Sequence, residues 1–336
     1  MIAYGLNVTI GNPPQSLTML LDIEWDTFFV QSSACESALC KSYNHTGFNS
    51  SASTSYVKSR NELTVDYNDV LFSGMLARDT LSLAGLNIEK QPFLDARDIW
   101  PRTFFHWYIE YNGVIGFAPR YIAQPWHVVP SPWQMIVGNE LLDHNVFSIQ
   151  FPAGSRDFDK HRTNGELMIG GITPQFSDAE FLQLPLIDEK TATPWATGAQ
   201  SLIWGDGKTL REDFDGGIAF FSTAISYILL PGNWTDALLD IIGANKPFGF
   251  FKQFACDKRK KLPDLTFVIG GHTISLSAYE YSFEIISSSR NLNACVVGFE
   301  RSTTGSVGLG LPFMENFYTV FDQDAKQIKR RLITPL

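Results

Sequence analysis

Apolar residues alternate with polar ones in short runs along most of the chain, and few stretches repeat at helical spacing. Leu17-Thr18-Met19-Leu20-Leu21, Leu81-Ser82-Leu83 and Phe267-Val268-Ile269 are rich in apolar or β-branched residues and bounded by Gly, Asn, Asp or Pro. That is the pattern of strands. Two stretches read as helices, 133–142 and 233–243, the second opening with an Asn/Thr start signal. Many short strands with few helices predict an all-β protein built on large sheets. A faint internal echo divides it: Leu20-Leu21-Asp22-Ile23 ahead of Phe28-Phe29-Val30 is matched by Phe220-Phe221-Ser222-Thr223 ahead of Ile228-Leu229-Leu230. Two related β-rich lobes, 1–171 and 172–336, would produce this layout with a central cleft between them.

Composition narrows the function classes. A chain of 336 residues suits two lobes better than one small core, and 44% hydrophobic with 18% charged residues excludes disorder as the main state. The formal net charge of -9 opposes nucleic-acid binding, which needs a basic face. No apolar run approaches the length of a membrane span, and no signal-like segment precedes the first strand pattern. Cys35 and Cys40 enclose a short loop and Cys256 and Cys295 a long one; without CxxC or His clusters, two disulfides are the expectation. Asn7, Asn44, Asn49 and Asn233 each head an Asn-x-Ser/Thr acceptor triplet. Together these point to a secreted or secretory-pathway glycoprotein. There is no G-x-G-x-x-G, P-loop or metal spacing, so neither cofactor nor metal is expected.

Several ordered motifs carry a family resemblance. Ile10-Gly11-Asn12-Pro13-Pro14-Gln15 looks like an IGTPPQ turn, and Asn112-Gly113-Val114-Ile115-Gly116-Phe117-Ala118 like DGILGLA. Val146-Phe147-Ser148 with Gly165-Glu166-Leu167 and Ile169-Gly170-Gly171 is similar to VFSFYL…GELTLGG. Leu262-Pro263-Asp264-Leu265-Thr266-Phe267 is similar to LPDITF, and Phe317-Tyr318-Thr319-Val320-Phe321-Asp322 to YYTVFD. Over nearly its whole length the sequence resembles the pepsin-like aspartic proteases, and both cysteine pairs fall where that family places disulfides. The resemblance implies a bilobal all-β fold with a few short helices, a flap on the first lobe, and a monomer.

It also implies a chemistry: two carboxylates, one from each lobe, sharing a proton, because like charges that close cannot both ionise. Each comes from a D-T-G-S/T loop. Here the first loop reads Asp22-Ile23-Glu24-Trp25-Asp26-Thr27-Phe28-Phe29-Val30. It keeps the acid but replaces the Thr, Gly and Ser that follow. The second reads Phe220-Phe221-Ser222-Thr223-Ala224-Ile225-Ser226, with Ser222 at the carboxylate position. The flap tyrosine aligns with Tyr67, but in Tyr67-Asn68-Asp69-Val70 both flap glycines are gone. Phe29 stands where the family's indole meets that tyrosine and has no N–H to offer. Leu309-Gly310-Leu311-Pro312 replaces ILGD.

A serine hydroxyl cannot share a proton as a carboxylate does, so the expectation is a pepsin-like fold without a working Asp dyad. Its cleft would bind an apolar small molecule or a peptide, lined by Trp25, Phe29, Tyr67, Asn68, Asp69 and Thr223. An alternative is a repurposed acid–base enzyme, an isomerase, dehydratase or cyclase, with Asp22 as acid or base and Glu24 as a partner in the same loop. A second alternative is an active endopeptidase pairing Asp22 with Asp213 or Asp215. Glu24 and Asp26 also read as solvated loop carboxylates, Trp25 as packing, and His106 in the aromatic stretch 104–108 as structural. No base for a Ser222 nucleophile is visible.

Overall fold

The structure is a computed structural model describing residues 4–41, 46–101, 111–119, 129–152, 165–177, 180–187, 194–249, 251–287 and 292–332. Asn44 and the stretch 104–108 with His106 lie outside the described residues. The chain divides into two compact units, one of residues 4–143 and one from residue 144 onward.

In the first unit the strands are β1 (Gly5–Ile10), β2 (Gln15–Asp22), β3 (Phe28–Gln31), β4 (Val57–Tyr67), β5 (Val70–Leu83), β6 (Leu86–Pro101) and β7 (Gly113–Gly116). They form one sheet in the order β1-β2-β7-β3-β6-β5-β4. The alternation seen in the sequence becomes burial: Leu17, Met19 and Leu21 of β2 point inward while Ser16 faces water. Leu81 and Leu83 do the same on β5. The helix Pro132–Gly138 starts at Ser131, whose hydroxyl accepts the Gln134 N–H at 3.3 Å. It ends earlier than the periodicity suggests, at Gly138 and just before Glu140, which has a φ of 52°.

The second unit opens with β8 (Val146–Gln150), β9 (Glu166–Ile169), β10 (Leu182–Pro185), β11 (Ala196–Trp204), β12 (Leu210–Phe221) and β13 (Ile228–Pro231). After the helix Gly232–Ile242 come β14 (Lys246–Phe248), β15 (Phe251–Phe254), β16 (Leu265–Ile269), β17 (His272–Leu276), β18 (Ser282–Ser287) and β19 (Leu292–Val297). The last strands are β20 (Phe299–Ser302), β21 (Val307–Leu309), β22 (Phe317–Asp322) and β23 (Gln327–Leu332), with the short helix Leu311–Met314 between β21 and β22. Their sheets run β10-β23-β22-β8-β9, β17-β16-β11-β12-β21-β13-β20 and β14-β15-β19-β18. Strands β8 and β9, which the sequence boundary at 171/172 leaves with the first lobe, join this unit because β8 pairs with β22 from Tyr318↔Gln150 to Asp322↔Val146. The compact units therefore part at 143/144 instead.

Both cysteine pairs are bonded, Cys35 to Cys40 and Cys256 to Cys295. Asn7, Asn49 and Asn233 are exposed.

One construction occurs in each unit. A strand leads into a loop, the chain returns on the far side of a third strand, and that third strand runs between the two: β7 between β2 and β3, β21 between β12 and β13. A glycine stands at the end of each crossing strand, Gly116 as the last residue of β7 and Gly310 just after β21. A Cβ on Gly116 would strike the carbonyl oxygens of Trp25 and Thr27, and one on Gly310 those of Tyr227 and Ile225. Gly116→Ala and Gly310→Ala should therefore each destabilise by about 2–3 kcal/mol or more. Gly171→Ala, with open space around it, should stay within about 0.5 kcal/mol of the parent. Urea unfolding midpoints of the three variants check this; equal midpoints would refute the tight crossing.

Candidate active site

The pairings of the two crossings correspond residue by residue. In the first, Leu20, Leu21 and Asp22 lie parallel to Val114, Ile115 and Gly116. In the second, Ala219, Phe220 and Phe221 lie parallel to Val307, Gly308 and Leu309, and the Ser222 N–H bonds the Leu309 carbonyl at 3.2 Å. On the return strand Phe28 pairs with Ile115 as Ile228 pairs with Leu309. Trp25 and Thr27 crowd Gly116 as Ile225 and Tyr227 crowd Gly310. Even the side-chain turn repeats: the Glu24 N–H donates to Asp22 Oδ1 at 2.8 Å, and the Ala224 N–H to Ser222 Oγ at 3.3 Å. Ser222 thus holds in its own loop the place that Asp22 holds in the first.

Asp22 is nearly sealed, with 4% of its surface exposed. Its second oxygen, Oδ2, accepts the Tyr67 hydroxyl at 2.8 Å. Burial raises the affinity of this carboxyl for its proton above the ordinary aspartate value, while hydrogen bonds from the Glu24 N–H, the Tyr67 hydroxyl and the Trp25 N–H pull it back. Tyr67 is pushed well above the usual tyrosine range by its own burial and then by the Asp22 charge, so it stays protonated and donates.

The hairpin β4–β5 delivers Tyr67. Its strands pair from Val57↔Arg78 to Tyr67↔Val70, leaving Asn68 and Asp69 as a two-residue turn with φ of 49° and 63°. Both central residues of such a turn need positive φ, which Asn and Asp tolerate. The turn thus keeps its geometry without the flap glycines. Asn68 and Asp69 face solvent, while Tyr67 and Val70 turn inward. The Tyr67 ring meets Trp25 edge-on at 5.1 Å and Phe29 at 5.6 Å, and Phe29 packs on Phe72 at 4.1 Å. Phe29, having no N–H, leaves the Tyr67 hydroxyl to Asp22.

The other expected residues fall out as follows. Glu24 is half-buried and reaches Asp22 through its backbone N–H; its charge acts on Tyr67. Asp26 is buried, not solvated, because it lies between the Trp25 and Thr27 carbonyls bonded to Ala118 and Gly116. Trp25 packs in the aromatic cluster. Thr223 is buried beside Ser222, which is itself fully buried. Asp213 and Asp215 are exposed positions of β12, away from the loop; Asp213 is gripped by Arg211, with contacts of 2.7–3.0 Å. Phe72 was not anticipated; its signal is the alternation Val70, Phe72 on the inward face of β5. The described residues contain no group of three or more metal-ligating side chains.

A buried acid with raised proton affinity leaves a thermodynamic trace. The folded carboxyl holds its proton to higher pH than the unfolded one, whose pKa is about 3.9. Its contribution is fully favourable below that unfolded value and is lost as pH rises through the folded one. Asp22→Asn removes this loss, so the stability of the variant relative to the parent should climb from acid to neutral pH. Urea midpoints across that range test it; a difference independent of pH would contradict the raised affinity.

The comparisons with known proteins agree with this geometry. The family model described as eukaryotic aspartyl protease matches residues 3–330. Vacuolar protease A of Aspergillus fumigatus is 30% identical over 324 residues, covering 95% of this chain and 76% of the relative. Cathepsin D of Gallus gallus is 28% identical over 327 residues, covering 96% of this chain and 78% of the relative. Among solved structures, the aspartic proteinase from Irpex lacteus aligns with a TM-score of 0.77 at 18% identity, over 99% of this chain and 95% of that one. That likeness establishes the pepsin-like bilobal, mostly β fold. With a family model spanning almost every residue and a loop–strand crossing in each unit, the chain belongs to the eukaryotic aspartyl protease family.

Proposed function

We propose that this chain is a member of the family without a two-carboxylate dyad, and that it binds an apolar small molecule or peptide segment instead of cleaving peptides. The carrying observation is the matched pair of turns: Glu24 N–H to the Asp22 carboxylate, Ala224 N–H to the Ser222 hydroxyl. Peptide hydrolysis by this family's route needs a carboxylate in both turns to hold and activate one water. A serine hydroxyl, whose proton is lost only far above neutral pH, cannot take either role. The names of the relatives favour peptidolysis; the residue at position 222 opposes it. The binding reading draws support from one polar anchor, Asp22, bonded to Tyr67, whose ring meets Trp25 and Phe29; apolar groups beside a few placed polar ones are what small-molecule sites favour.

A second reading rests on the state of Asp22 itself. A buried carboxyl with raised proton affinity, hydrogen-bonded to a protonated tyrosine, is suited to give or take a proton at weakly acidic pH. An isomerisation, dehydration or cyclisation of a small apolar substrate would need no second acid. Either way Tyr67 must leave Asp22 for a ligand to reach it. The two disulfides, the exposed Asn7, Asn49 and Asn233 acceptors, and relatives named for the vacuole support a glycosylated monomer of the secretory or vacuolar route.

Incubation with denatured protein at acidic pH tests the proposal. The parent should give no cleavage, and a statine-type transition-state mimic should leave its unfolding temperature unmoved. Cleavage that the mimic blocks and Asp22→Asn abolishes would return the chain to the peptidases.

A further inference from the structure

Arg330 is fully buried in the second unit. It sits in β23 between Leu182 of β10 and Thr319 of β22, with none of its surface exposed. Three rings face its guanidinium, with centroids at 3.7 Å for Phe317, 4.2 Å for Phe313 and 5.1 Å for Phe221. Aromatic faces stabilise a cation above and below its plane. They do nothing for its five N–H donors, which radiate within that plane. Among the described residues no atom accepts a hydrogen bond from Nε, Nη1 or Nη2. The carboxylate on the neighbouring strand is engaged elsewhere: Asp322 pairs with Lys329 at 2.7 Å.

A second orphan faces the same way. Thr319 is directly opposite Arg330 in the antiparallel ladder, so the two side chains leave the same face of the sheet with Cβ atoms about 5 Å apart. The Thr319 hydroxyl is buried and likewise has no hydrogen-bond partner among the described residues. Two neighbouring strands therefore place a buried positive charge and a buried hydroxyl, neither with a hydrogen-bond partner among the described residues, on one face of the sheet. An uncompensated buried ion is strongly destabilising, whereas one met by a counter-charge and in-plane acceptors is not. A water could accept a hydrogen bond but would leave the charge unbalanced.

We infer that Arg330 and Thr319 form a structural binding site for a chloride-sized monovalent anion, enclosed in the second unit as it folds. The anion accepts from the guanidinium edge and from Thr319 Oγ1, while Phe317, Phe313 and Phe221 wall the cation's faces. This site is independent of the reaction or ligand assigned to Asp22.

The test is thermal unfolding in chloride against gluconate, an anion too large to enter, at constant ionic strength and pH. Binding to the folded state alone raises the midpoint with anion concentration. The parent should unfold several degrees higher in chloride, and Thr319→Val should weaken that response. Arg330→Met should remove the response altogether and, freed of the buried charge, unfold above the parent in gluconate. Equal midpoints of the parent in the two salts, or a chloride response that survives in Arg330→Met, would overturn the assignment. Should Arg330→Met fail to fold, a bromide soak of parent crystals decides: an anomalous peak beside the Arg330 guanidinium supports the site, and its absence there refutes it.

Discussion

Taking a carboxylate out of water costs several kcal/mol unless donors meet it, and the first unit is organised around meeting that cost at Asp22. Three donors converge: the backbone N–H groups of Glu24 and Trp25 from its own loop, and the Tyr67 hydroxyl from the hairpin β4–β5. The loop can present its N–H groups because β7 and the residues that follow it hold the Thr27 and Trp25 carbonyls through the N–H groups of Gly116 and Ala118. The hairpin can present Tyr67 only because the Asn68-Asp69 turn fixes its register and the Trp25 and Phe29 rings fix its direction. Remove the acid, and the arrangement of these elements loses its common purpose.

The second unit repeats the framework without that demand. Its loop has the same crossing strand, the same glycine against two carbonyls and the same turn back to the leading side chain, yet the leading group is a neutral hydroxyl. A buried serine needs little compensation, and the Ala224 N–H donates to its hydroxyl. The two loops share a backbone arrangement and differ in the side chain that leads them. Fold and chemistry are separable here: the crossing is maintained by sterics at Gly116 and Gly310, whereas proton sharing depends on one side chain.

Much of this is legible in the sequence. Period-two alternation in segments such as 17–21 and 267–269 reports half-buried strands directly, and the echo of residues 20–23 in 220–223 is the repeated crossing itself. The cysteine spacing gave both disulfides. Other features depend on contacts that local pattern does not encode. The destination of the Tyr67 hydroxyl follows from Phe29 lacking an N–H and from Asp22, 45 residues away in sequence, lying within reach, and the second is a tertiary fact. Asp26 reads as a loop carboxylate because nothing nearby announces that β7 will cover it. Arg330 hides in Lys329-Arg330-Arg331, which reads as a solvated run; only the inward phase of Ile328 on the same face hints that one of these cations points into the core. The lobe boundary fell late because β8 and β9 precede the Gly170-Gly171 turn that resembles a divider, while their hydrogen bonds lead to β22.

In the proposed reading Asp22 shares its proton with no second carboxylate, and the Tyr67 hydroxyl is its neighbour. Carbon-13 NMR titration of the Asp22 carboxyl measures this most directly. The account predicts a single-step titration displaced above the ordinary aspartate value, displaced further upward when Tyr67→Phe removes the donor that steadies the charged form. Two coupled steps, the mark of a proton shared between carboxylates, would contradict it.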